Sequence, residues 1–226
     1  EEAGHLLGRE LINLGFDLFK KDSSFINIDM LVGMQYALSS QQAGSVFLQS
    51  FQTNVLTVDT VLLKFTRKLP QEADIRSINL GVNYELFATD YRFNPRKGNE
   101  FQISVTAGTK KIKKNNVIVQ LKDNNDPDFN FASLYDTMLT SSYQFRVRGK
   151  AAHYFKLTRS STLKLGMNGG WFQSPMIFRN ELFQIGGYKL LRGFDEESIF
   201  ASQYAVGTLE YRYLIGRNSY LFYFVD

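Results

Sequence analysis

Hydrophobic and polar residues alternate with a period of two along almost the whole chain, the spacing that sends successive side chains to opposite faces of a strand. Between 10 and 20, Ile12, Leu14, Phe16 and Leu18 share one face, and Asn13, Gly15 and Asp17 the other. The run 25–38 sets Ile26, Ile28, Met30, Val32, Met34, Tyr36 and Leu38 against Asn27, Asp29, Gly33 and Gln35. The same alternation returns at 77–88 (Ile78, Leu80, Val82), 101–110 (Phe101, Ile103, Val105), 143–151 (Tyr143, Phe145, Val147), 162–171 (Leu163, Leu165, Met167) and 208–215 (Leu209, Tyr211, Tyr213). The run 45–56 is less regular, and its bulky residues Phe47, Phe51 and Val55 mark its apolar face. A last run, Tyr220 to Asp226, is nearly all apolar and ends on a carboxylate. The pattern predicts nine strands and no long helix.

Long strict alternation fits either a soluble β-sandwich or a membrane barrel with a lipid face and a polar lumen. Strand length separates the two. These runs cover 10–14 residues, against ~5–6 for globular strands and ~9–11 for tilted membrane strands. The connections also differ in length: Lys20–Ser24, Ser39–Gly44, Thr158–Ser161 and Gly216–Ser219 are short, whereas 57–76, 111–141 and 173–203 are long. Short turns on one side and long loops on the other are expected of an outer-membrane barrel. Only Lys20–Ser24 breaks that order. No apolar run reaches the ~18–20 residues of a membrane helix, which leaves a barrel open. Aromatic residues near strand ends, among them Phe19, Tyr36, Tyr91 and Trp171, suit interfacial girdles or edge-of-core packing alike. Arg146, Arg148, Lys150 and Lys164 fall on the polar parity and are expected to line a wetted, positive lumen.

Composition narrows the chemistry. The 226 residues suit one domain, assigned here to 1–226, with 20 Phe, 12 Tyr and only four Pro. A net charge of +4 is too mild and dispersed to point to nucleic acid. No Cys occurs, and two His (His5 and His153) are a poor basis for a metal site, so neither metal nor cofactor is expected. No nucleophile elbow, phosphate loop or paired-His motif is present, so no enzymatic activity is expected. Glu1-Glu2-Ala3 is not the basic start of a signal peptide, which fits a mature chain or a segment of a longer one. Asp123-Asn124-Asn125-Asp126-Pro127-Asp128 lacks the Gly and distal Glu of a calcium loop and reads as a solvated loop. Lys110-Lys111-Ile112-Lys113-Lys114 reads as a solvated basic rim, with contact to anionic lipid headgroups as the functional alternative.

One segment stands outside the alternation: Gly186-Gly187-Tyr188-Lys189-Leu190-Leu191-Arg192-Gly193-Phe194. Arg192 carries five donors and stays charged, so burial among Leu190, Leu191 and Phe194 demands carboxylates. Glu210 and Asp226, on the two strands that follow, are the candidates; a solvent-exposed Arg-Gly turn is the simpler alternative. Gly193 is expected to allow a tight backbone approach and Phe194 to pack beside the guanidinium.

At these residues the chain resembles the BamA/TamA-like outer-membrane assembly and translocation barrels, a family that also includes two-partner-secretion transporters. The matching features are Gly186-Gly187, then Leu191-Arg192-Gly193-Phe194, then Glu210 and Asp226 on successive strands, with a Pro95-to-Gly98 turn ahead of a middle strand. The resemblance implies an all-β, antiparallel transmembrane β-barrel of sixteen strands, of which about nine lie here, with four before and three after. It implies POTRA domains on the N-terminal side and the integral outer membrane of a Gram-negative bacterium as location. Its implied function is non-enzymatic: a weakly closed seam and a thinned bilayer template client strands by β-augmentation. The partners implied are the lipid bilayer, unfolded outer-membrane or secreted client proteins, accessory lipoproteins and periplasmic chaperones. A passive porin or structural barrel, with the 186–194 loop as a constriction, is the alternative.

Overall fold

The computed structural model describes residues 10–21, 25–123, 126–216 and 219–226. In chain order its strands are β1 (Glu10–Lys21), β2 (Phe25–Ser39), β3 (Gln42–Val55), β4 (Asp74–Thr89), β5 (Gly98–Lys113), β6 (Ser141–Lys156), β7 (Ser161–Gln173), β8 (Phe183–Ile185), β9 (Ile199–Ala201), β10 (Gln203–Leu214) and β11 (Tyr220–Val225). Nine of them make one antiparallel meander in which β10 follows β7 directly, while β8 and β9 pair separately inside the connecting loop. The large sheet is not closed and has β1 and β11 as its edges. Most of its strands run 12–16 residues; the 14 residues of β3 extend about 46 Å at ~3.3 Å each, enough to cross a ~30 Å hydrocarbon layer when tilted. Among the described residues no helix is long and apolar enough to cross a membrane.

Loop length sorts the two ends of the sheet as the alternation predicts. Connections 56–73, 114–140 and 174–202 leave one end, and 40–41, 90–97 and 157–160 the other. The Lys20–Ser24 turn falls mostly on 22–24, outside the described residues, as does part of Gly216–Ser219. The long loops carry short helices, α1 (Thr60–Thr66) and α2 (Asn116–Val119), both started by a side-chain cap: Asp59 accepts from the Leu62 amide and Asn115 from the Val117 amide. Leu63, Ile118, Phe131 and Tyr135 bury together between these loops, so the principal apolar core lies at this end and not between two sheets.

Burial tells the two faces of the wall apart. On β4, Ile75, Ser77 and Asn79 are buried, whereas Ile78, Leu80 and Val82 are more than half exposed. The first set faces the long loop 174–202, which folds back over the concave side; the second faces out. Apolar side chains outward and polar ones inward is the inverse of a soluble protein and suits a lipid surround.

Strand β3 corrects the sequence reading. Its outward residues are Val46 and Leu48, both exposed, and Phe47 is buried on the inner face, with Phe51 of the same parity. The glycines beside it are the reason. A Cβ at Gly33 or Gly81, its partners on β2 and β4, would collide with Phe47, so the ring occupies the space that two missing side chains leave. Counting bulky residues within one strand misassigned the face, because the glycines that accommodate the ring lie on its neighbours.

Candidate functional site

The loop 174–202 enters the concave side of the sheet and is held at two places. Its tip is shaped by glycines: Gly186, Gly187 and Gly193 have φ of +123°, +92° and +95°, the left-handed region that other residues avoid. A Cβ at Gly193 would meet no atom within 4 Å, so its backbone angle, and not the expected close approach, requires glycine. The Gly187 amide donates to the Phe194 carbonyl (3.1 Å) and the Leu191 amide to the Gly187 carbonyl (3.1 Å), which closes the tip into a compact turn.

That turn presents Arg192 to the two strands that follow. Its Nε donates to Asp226 Oδ2 (2.8 Å), Nη2 to Asp226 Oδ1 (2.8 Å), and Nη1 to Glu210 Oε2 (2.9 Å). The Arg192 backbone amide adds a bond to Asp226 Oδ2 (3.0 Å). A planar fork thus grips one carboxylate at both oxygens and reaches a second on the adjacent strand, a geometry only guanidinium provides. The Phe224 ring lies 3.6 Å from the guanidinium carbon, a cation–π contact from β11. Phe194, expected beside Arg192, is instead 55% exposed; Phe224 takes the place assigned to it. Hydrogen bonds to Asp226 above all, and to Glu210, raise the Arg192 pKa above its ordinary value against the opposing effect of burial.

The carboxylates have further partners. Glu210 also accepts from Arg212 Nε at 2.6 Å, and Asp226 Oδ1 from the Thr208 hydroxyl at 2.8 Å. Arg212 is buried and reaches Asn94 in the β4–β5 turn at 3.4 Å. Arg212 was not among the sequence candidates. The signal was available, since it sits two residues from Glu210 on the same strand and so shares its face.

The loop's second hold was missed altogether. Lys110, read from sequence as part of a solvated rim, has no exposed surface and donates to both oxygens of Glu181 at 2.8 Å. It also bonds the Met176 carbonyl and lies under the Phe172 and Phe178 rings. Glu181 Oε2 also accepts from the Phe178 amide (2.9 Å), so this carboxylate is held by the wall through Lys110 and by its own loop through Phe178. Nearby, Asn180 Nδ2 donates to the Ala73 carbonyl (2.9 Å), and the Arg179 amide to Gln71 (2.8 Å), tying the loop to its neighbour 56–73. Parity foretold the direction: Lys110 continues the inward series Ser104, Thr106 and Gly108. The lysines on either side drew it into a single basic run.

The four basic residues expected to line the lumen differ in surroundings. Arg146 is engaged with the loop, donating to the Glu181 carbonyl (2.6 Å) and stacking over Phe172. Arg148 is on the same face, with the Phe183 ring 5.2 Å from its guanidinium carbon. Lys150 follows on that face, and Lys164 stands opposite Glu210 in register. Between loop and wall remains a cavity of about 570 Å³ bordered by Asp29, Gln49, Asn79, Gln144, Arg146 and Arg148. In the acidic loop, Asn124 and Asn125 fall outside the described residues, while Asp126 pairs with Arg67 at 2.7 Å. Among the described residues no cluster of His, Asp and Glu is arranged to hold a metal ion.

No curated protein matches the chain closely enough to be compared with it. A family model does: the Omp85 superfamily domain, over residues 31–226. With a nine-strand antiparallel wall, apolar outside and polar within, and a long loop bound to its inner face, the chain belongs to the Omp85 superfamily, whose members are outer-membrane proteins of assembly or translocation.

Proposed function

We propose that residues 1–226 form the loop-bearing part of a membrane β-barrel that inserts or translocates β-rich client polypeptides without catalysing a chemical step. In this reading the Arg192-Gly193-Phe194 tip is a brace. It pins β10 to β11 through Glu210 and Asp226, so that one part of the wall keeps its register while client strands pair at an edge elsewhere. The observation that carries the reading is the four-bond contact of Arg192 with two carboxylates from successive strands. A passive pore has no evident need for so specific a tie between its constriction and two wall strands. Unfolded outer-membrane or secreted proteins are the proposed clients, and accessory lipoproteins and periplasmic chaperones the proposed helpers, in the outer membrane of a Gram-negative bacterium.

The test reconstitutes the full-length protein in vesicles and follows the folding or export of a labelled β-barrel client alongside ion conductance. Arg192→Ala is expected to slow client handling while leaving the strands folded, as read by circular dichroism and protease protection. Steady conductance with no client-dependent activity in the wild type would favour the passive porin instead.

A further inference from the structure

The outward face of the β4–β5 pair changes character within one step. Toward the long loops its cross-strand pairs run Val82–Val105, Leu80–Ala107 and Ile78–Thr109, and then Arg76–Lys111. Lys113 follows two residues along the same face, and all three cations are exposed. Like charges directly opposite one another weaken an antiparallel pair. Among the described residues no carboxylate forms an ion pair with any of the three. Asp74 faces Lys113 across the strands, but Oδ1 accepts from the Val55 amide (2.6 Å) and Oδ2 from Asn115 (3.0 Å).

Three other cations at this end of the wall have acidic partners. Arg67 pairs with Asp126, Lys114 lies 3.7 Å from Asp136, and Lys110 turns inward to Glu181. Arg76, Lys111 and Lys113 are left as an outward triad with no carboxylate paired to it among the described residues. It begins two outward rows beyond the last wholly apolar pair, Leu80–Ala107, with the mixed pair Ile78–Thr109 between, the level at which a membrane's hydrocarbon gives way to headgroups.

We infer that Arg76, Lys111 and Lys113 bind the phosphate groups of membrane lipids whose chains lie against Ile78, Leu80 and Val82. The phosphates supply the anion that relieves the Arg76–Lys111 opposition. A soluble anion would meet the same charges but gain nothing from the apolar row beneath them, which is why a lipid is the occupant. The assignment rests on the membrane placement of the wall and is independent of the client-handling role.

The experiment uses full-length protein purified in neutral detergent and titrated with bisphosphorylated lipid A or its dephosphorylated form, with bound lipid read by native mass spectrometry. Replacing all three cations (Arg76→Gln, Lys111→Gln, Lys113→Gln) is expected to weaken retention of the phosphorylated lipid on the order of a hundredfold, about fivefold per cation. The control Arg67→Gln with Lys114→Gln leaves retention unchanged. Equal retention by wild type and the triple variant, or of the two lipid forms, overturns the inference. Complete displacement by inorganic phosphate would assign the site to a soluble anion and overturn the lipid as occupant.

Thermal unfolding supplies a second reading that a folding defect cannot mimic. In lipid-free detergent Lys111→Gln is expected to unfold no earlier than the wild type, since it removes a like-charge opposition. Added lipid A then raises the wild-type midpoint more than that of the variant. An equal rise in both overturns the inference. Client folding is assayed separately, so a failed brace at Arg192 leaves this result standing.

Discussion

The two holds on the loop solve the same problem in different ways. At Lys110 a compact ammonium is sealed from water, with Glu181, a carbonyl and two aromatic rings around it. At Arg192 a planar fork spans two carboxylates on different strands, each of which keeps another donor. The first joins the loop to the wall through one private pair. The second is one knot in a polar network. A private pair leaves a naked charge when one member is lost, whereas a network redistributes its bonds.

The largest expected effect therefore falls on the private pair. Lys110→Ala leaves the buried Glu181 carboxylate with the Phe178 amide but without its counter-charge, and should cost about 3–5 kcal/mol of loop stability, read as protease sensitivity within 174–202. Replacing both partners, Lys110→Met with Glu181→Leu, should recover most of that loss. Equal damage from the single and double variants would break the account of a sealed pair.

Arg192→Ala should cost less, about 2–3 kcal/mol from its charge-assisted bonds, because Glu210 retains Arg212 and Asp226 retains Thr208. Arg192→Lys should restore little, since an ammonium cannot fork. A double-mutant cycle of Arg192→Ala and Glu210→Ala, read by hydrogen exchange in the loop, should be non-additive. Additive effects would mean that the tip and the wall are not coupled.

Alkali separates the brace from weaker bases. With its pKa raised above the ordinary arginine value, Arg192 contributes stability that is fully present below that ordinary value and lost only as pH rises beyond it. Loop protection near the tip should therefore be flat between pH 7 and about 11. A loss in that window confined to the tip would contradict the charged brace.

Arg146 and Arg148 refine the contrast between bound and free cations. Arg148→Gln should reduce the anion preference of the reconstituted pore with the loop unchanged. Arg146→Gln should instead loosen the loop, because its guanidinium bonds the Glu181 carbonyl. Identical conductance changes in the two variants would erase the distinction.

The smallest effect is expected at the opposite end of the wall, where the Asp90 carboxylate accepts from the Arg96 and Lys97 amides at 2.9 and 3.1 Å. Burial alone would raise its pKa; those bonds outweigh it and hold the pKa below the ordinary value. Its contribution is present above ~3.9 and lost as pH falls through the lowered value. Acid should thus loosen the 90–97 turn, and Asp90→Asn should abolish that response, as measured by hydrogen exchange.

Alternation by itself determined the nine strands of the wall, the sorting of short and long connections and the outward faces of most strands, because strand geometry ties direction to parity and needs no partner. It also made Arg192, Glu210 and Asp226 candidates for one another, since an arginine among apolar neighbours has few ways to be buried. Other facts depend on residues far apart in the chain. Phe47 turns inward because Gly33 and Gly81 on neighbouring strands leave it room. Lys110 is dry because Glu181, 71 residues later, comes to it. Phe224, and not Phe194, covers the guanidinium because β11 lies beside the loop tip. Parity is local and survives in one dimension, but space, dryness and charge balance are set by whichever neighbours the fold delivers, and only the tertiary structure decides those.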